Sequence, residues 1–192
     1  GIGRRKNTRR LLEMFMALWQ EQPDIPLGLA GGAWLVDHST CRTAFEARLH
    51  ASELADHVSV TGPVADEDMP AFYRQAAVLA YPSAVEGFGL CPLEALACGT
   101  PVIVPNAPPF TEHLSGSDVL WCNPDQPHSL LQALREALSP ESRTHFLAAG
   151  PITARRFDWR SVARRHLPAY RRLAALSGID ARAFGDLHSC PK

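Results

Sequence analysis

The chain has 192 residues, 46% of them hydrophobic and 20% charged, with a formal net charge of −1 and an isoelectric point near 6.8. That length and apolar content suffice for one good core, and the near-neutral balance gives no general electrostatic pull towards nucleic acid or an acidic membrane. No apolar run approaches a membrane span, and no signal-peptide pattern opens the sequence.

The predicted elements alternate. Residues 8–20 carry Leu11, Leu12, Phe15, Leu18 and Trp19 at helical spacing, ended by the Pro23/Pro26 segment. A short apolar strand follows at 27–30, then Gly31-Gly32. Ser39 or Thr40 is placed to cap a helix running towards Leu54, and 57–61 reads as the next strand before Gly62-Pro63. Residues 66–77 are predicted helix and 78–81 strand. A glycine-rich turn, a helix and the strand 102–104 come next, then a short helix over 109–114 and a strand over 119–121. The rest is helical in pieces, at 127–138, 140–150 and 158–175. This order implies a doubly wound parallel sheet covered on both faces, with ligands expected beyond the carboxyl ends of its strands. Gly31-Gly32, Gly62-Pro63 and Glu86 are all expected there.

The most informative run is Glu86-Gly-Phe-Gly-Leu-Cys-Pro-Leu-Glu94-Ala-Leu-Ala-Cys-Gly99-Thr-Pro101. Gly87 and Gly89 let the backbone pass close to a ligand, Pro92 suits a first helical position, and the exposed amides there can receive a diphosphate. Glu94 is expected in the first helical turn, accepting two ribose hydroxyls, with Glu86 before the turn for another polyol. The same residues also suit an ordinary strand-loop-helix-strand unit whose glutamates are merely solvated. With Pro101-Val-Ile-Val104 behind it, the run resembles the signature of the retaining GT-B glycosyltransferases of group one.

The resemblance implies a Rossmann-like α/β fold, the C-terminal half of a GT-B enzyme with its first strand and its N-terminal domain missing. Residues 1–175 would form the donor-binding domain and 176–192 a C-terminal tail. It implies a hexosyl transfer from a nucleotide-diphosphate-sugar donor to an acceptor, with retention and without metal or other cofactor; the isolated chain would lack the acceptor wall and be inactive. Lys6, the only lysine besides Lys192 against 17 arginines, coincides with the family's phosphate-binding lysine, where an ammonium can pair with the departing diphosphate. Its arginine companion would be Arg4 or Arg5, or would lie before Gly1. Glu86 would hold sugar hydroxyls and share the catalytic role with Lys6. The amides of Gly87, Phe88 and Gly89 would touch sugar or phosphate, the Leu90 amide phosphate, Glu94 the ribose, and Gly62, Pro63 and Val64 the base. A non-catalytic nucleotide-sugar-binding module and a GT-B nucleotide-sugar epimerase are the alternatives.

Other features are discounted. Asp66-Glu67-Asp68 looks like a metal-binding Asp-x-Asp but opens a predicted helix, where acids favour the positive end of the dipole. Arg4-Arg5-Lys6 with Arg9-Arg10, and the arginines from 155 to 172, lack the interleaved aromatics of a nucleic-acid surface. The latter are expected to face water, the missing domain, or an anionic lipid surface in a peripheral membrane association. The five cysteines, Cys41, Cys91, Cys98, Cys122 and Cys190, are odd in number and lack Cys-x-x-Cys spacing. They read as buried hydrophobes or free thiols in a reducing cytoplasm, not zinc ligands. Asn106-Ala-Pro-Pro-Phe-Thr-Glu112 departs from the family's usual Gly-Gly…Glu turn but keeps Glu112.

Overall fold

Leu11, Leu12, Phe15 and Leu18 recur every three or four residues and make α1 (Thr8–Glu21) a helix with two apolar stripes, all four residues buried. The computed structural model describes residues 5–30 and 39–177. Leu12 and Phe15 pack with Phe45 and Leu49 of α2 (Ser39–His50), with Leu54 and with Val58. Leu11 and Leu18 enter a second cluster with Ile103, Cys122 and the buried face of α6 (Pro127–Ala137). One helix therefore supports two sheets.

Those sheets are parallel ladders. β1 (Leu27–Ala30) pairs with β2 (Val58–Gly62), and β3 (Leu79–Ala80), β4 (Val102–Pro105) and β5 (Leu120–Cys122) form the other in that order. Every residue of β4 is buried, as a central strand covered on both faces requires. Ile103 faces α1 and α6. Strand alternation turns Val102 and Val104 to the opposite face, and α4 (Leu90–Ala97) also packs on β4, its Ala95 and Leu96 fully buried. α7 (Pro140–Arg155) crosses α4 so closely that a Cβ on Gly150 would stand 2.6 Å from the Leu96 carbonyl. Contacts divide the chain into Gly1–Ala154 and Arg155–Lys192. In the second unit, Asp158 caps α8 (Trp159–Leu176) through the Ser161 amide. No helix among the described residues is long and apolar enough to cross a membrane.

The doubly wound character stands, with four local corrections. The expected sheet is present as two ladders, with a cavity of about 780 Å³ between β1 and β3. The helix predicted over 66–77 shrinks to α3 (Met69–Gln75), because Ala65–Asp68 close a turn of their own and Pro70 sets the helix start. Asp68 is the N-cap residue, but its backbone is in the helical region and its side chain makes no capping bond. The helix expected to run towards Leu54 stops at His50, where the Ser52 hydroxyl donates to the Leu49 carbonyl and closes the last turn. Gly31-Gly32 and Arg4 lie outside the described residues.

Candidate functional site

Asn7 adopts a left-handed conformation, φ 54°, and swings the chain from Arg5 and Lys6 into α1. The Ala84 amide donates to the Arg5 carbonyl at 2.8 Å, which holds this turn just beyond the carboxyl end of β3. Lys6 therefore meets the residues that leave β3. Its ammonium donates to the Tyr81 hydroxyl and, at 2.5 Å, to Glu86 Oε1; Tyr81 donates to the same oxygen at 3.0 Å. Arg5 Nη1 stands 3.6 Å from Glu86 Oε2. Burial alone would raise the Glu86 carboxyl, but the Lys6 hydrogen bond and charge, with the Tyr81 bond, bring it below its ordinary value. Burial, then neighbouring acids, push the Tyr81 hydroxyl up, so it stays a proton donor.

The loop after Glu86 rises to the start of α4. Gly89, the N-cap, has φ 92°, and a Cβ there would collide with Phe110. Glycine is required twice over, by backbone and by space. Gly87 differs. Its φ is ordinary and a Cβ would meet nothing within 4 Å, so no protein atom demands the small residue. Phe88 is partly exposed and stacks on His113 with ring centroids 4.8 Å apart.

Because α4 begins at Leu90, Pro92 occupies its third position, not the first. The missing N–H still costs nothing, since that amide would have no intrahelical acceptor. The Leu90 and Cys91 amides, in the first turn, likewise have no intrahelical acceptor. Glu94 consequently opens the second turn. It is held there by the Tyr73 hydroxyl at 2.9 Å, while Thr100 donates to the Tyr73 carbonyl at 2.7 Å. Tyr73 is buried, and burial first, then Cys91 and Glu94, push its hydroxyl up.

The structure thus joins Arg5, Lys6 and Glu86 directly. It sets Lys6, Val64 and Glu94 on the wall of one cavity, and places Gly87, Phe88, Gly89 and Leu90 in the turn into α4. Gly62 ends β2 with φ 71°. Tyr73 and Tyr81 were missed in the sequence, although a tyrosine in an apolar strand or helix must satisfy its hydroxyl. Asp66, Glu67 and Asp68 remain exposed, and among the described residues no group of three or more His, Cys, Asp or Glu side chains is arranged to hold a metal.

Known proteins resemble this chain in sequence and in fold. The family model described as "Glycosyl transferases group 1" matches residues 2–150. O-antigen chain mannosyltransferase B of Escherichia coli is 30% identical over 171 residues, 88% of this chain and 43% of that protein. Sucrose-phosphate synthase from Thermosynechococcus elongatus superposes with a TM-score of 0.78 at 27% identity, over 91% of this chain and 44% of that one. Anabaena HepE, solved in complex with UDP-glucose, shares the fold with a TM-score of 0.71 at 23% identity, over 82% of this chain and 43% of that one. The chain spans less than half the length of these relatives.

Proposed function

This chain belongs to the glycosyl transferases group 1 family, and we propose that it is the donor-binding half of a retaining, metal-independent hexosyltransferase using a nucleotide-diphosphate-sugar. The observation that carries the reading is the meeting of Lys6, Arg5 and Glu86 in front of the α4 N-terminus. A diphosphate suits two cations and two unpaired amides. The fold shared with a protein solved with UDP-glucose supports the same ligand class.

Glu86 is itself the anion that Lys6 and Arg5 hold. An arriving diphosphate competes for those cations, and as Lys6 turns to phosphate the Glu86 oxygens become available to sugar hydroxyls. Glu94, already oriented by Tyr73, accepts the ribose hydroxyls. Open space at Gly87 lets the sugar approach backbone. As the bond from the anomeric carbon to the diphosphate breaks, negative charge grows on the phosphate opposite Lys6 and the α4 amides, and positive charge grows on the sugar beside Glu86. The acceptor oxygen bonds to the anomeric carbon on the face that the diphosphate leaves, and its proton passes to the leaving phosphate oxygen, so the configuration is retained and no protein nucleophile is required.

The test is product formation by the full-length parent protein with a nucleotide-hexose, with and without EDTA, and with the product anomer identified by NMR. Activity in chelator with a retained anomer is expected. Loss of activity restored by manganese would overturn metal independence, and inversion would overturn the front-face mechanism.

A further inference from the structure

Lys6, Arg5 and Tyr81 hold the Glu86 carboxylate, and they differ in freedom. Lys6 and Arg5 reach it on long side chains from the turn before α1, and those side chains are 25% and 60% exposed. Tyr81 is fixed. Its N–H donates to the Ile103 carbonyl of β4 at 2.9 Å and its carbonyl accepts the Ser83 N–H at 2.8 Å, so the backbone is held on both sides. Its ring stands edge-on to Phe110, at 87° with centroids 6.4 Å apart, and Phe110 is itself buried. The hydroxyl that donates to Glu86 Oε1 at 3.0 Å therefore has little but its O–H bond left to turn.

The same tyrosine also holds the lysine. Lys6 Nζ donates to the Tyr81 hydroxyl and lies 4.2 Å from the ring centroid, while it donates to Glu86 Oε1 as well. The hydroxyl can serve both because its one proton goes to the carboxylate and its lone pairs accept from the ammonium. Burial, then Cys91 and Glu86, keep that proton on the phenol oxygen against the opposing charge of Arg5. If Lys6 left this triangle, Oε1 would lose its charged donor on a side chain only 9% exposed, a costly state unless a fixed donor stays behind.

We propose that Tyr81 is a positioning residue for the donor site: its hydroxyl keeps Glu86 Oε1 bonded and aimed while Lys6 transfers from the carboxylate to an arriving phosphate. This role rests on the donor-site reading above. Lys6 moves, Tyr81 stays, and Glu86 presents the same oxygens to a sugar throughout. A phenylalanine fills the same space, keeps the edge contact with Phe110 and offers Lys6 the same ring face, so Tyr81→Phe removes the hydroxyl alone.

The first measurement uses no ligand. Lys6→Met stands for the departed ammonium, and the Glu86 carboxyl is titrated by NMR in Lys6→Met and in Lys6→Met/Tyr81→Phe. The midpoint is expected to lie higher in the double variant, because Arg5 and Cys91, the other titratable groups facing the Glu86–Tyr81 pair, are common to both. The second measurement is calorimetric titration of the chain with UDP and with GDP. Tyr81→Phe is expected to weaken the better-bound nucleotide about fivefold at about pH 7.5. The gap should close towards acid as Glu86 takes up a proton, and be absent in a Glu86→Gln background, where no charge is stranded. A merely structural tyrosine would give the same gap at every pH and in both backgrounds. That result, or a Glu86 carboxyl that titrates alike in the two ligand-free variants, overturns the role of Tyr81 alone; failure of wild type to bind either nucleotide overturns the functional reading and this role with it.

Discussion

Glu86 is the residue on which the site turns, because a half-hidden carboxylate next to one ammonium and one guanidinium is charged for a structural reason. Against the raising effect of burial, the Lys6 hydrogen bond and charge hold its carboxyl below the usual carboxylate range. A depressed carboxyl stabilises the fold fully above the unfolded value, and that contribution fades as pH falls through the folded value. Urea midpoints of wild type and Glu86→Gln are therefore expected to differ at neutral pH, wild type being higher, and to converge as acidification protonates the folded carboxyl; an unchanged gap down the acid limb would contradict the ion-pair account. Tyr73 acts through another residue. Tyr73→Phe removes the hydroxyl that positions Glu94 and leaves the carbonyl used by Thr100. About 1 kcal/mol of nucleotide affinity is expected to go, a several-fold weaker Kd, and the effect should vanish in a Glu94→Ala background. Additive losses in that cycle would show that the two residues work independently.

The turn from β3 into α4 is the element that fixes the site, and its two glycines separate fold from function. Gly89→Ala places a Cβ at φ 92° against Phe110, so a loss on the order of 1–3 kcal/mol in thermal or urea unfolding is expected. Gly87→Ala is expected to leave stability within about 0.5 kcal/mol and to weaken nucleotide binding, since the space it fills belongs to no protein atom. A Gly87→Ala protein that binds normally would remove the ligand from that position. This element was legible in the sequence because Gly89, Pro92 and the buried Leu93, Ala95 and Leu96 all follow local rules of capping and periodicity. The start of α4 was misjudged by two positions, since Pro92 is tolerated throughout a first turn. What the sequence hid was long-range: Tyr73 reaches Glu94 across 21 positions and Lys6 reaches Tyr81 across 75. Composition and spacing along one chain do not encode such meetings. The Asp66–Asp68 triplet failed as a cap for a local reason, its backbone conformation.

At the largest scale, α1 bridges two ladders while the turn before it brings Lys6 to Glu86, so candidate-site geometry and core packing share one helix. The proposed division of labour between Glu86 and Glu94 belongs to this scale because turnover is tested in the full-length protein that the proposed function invokes. Glu86→Gln there is expected to lower turnover more than donor affinity, since its contacts strengthen as the sugar gains positive charge. Glu94→Gln should chiefly raise the donor Michaelis constant, and the reverse pattern would exchange the roles. The most direct measurement is calorimetric titration of this chain with UDP and with GDP, for wild type, Lys6→Met and Glu94→Ala. Saturable binding of at least one nucleotide is expected, weakened tenfold or more, about 1.4 kcal/mol, by either substitution. Equal affinity in all three proteins, or none in the folded wild type, would contradict a donor site built on Lys6 and the α4 turn.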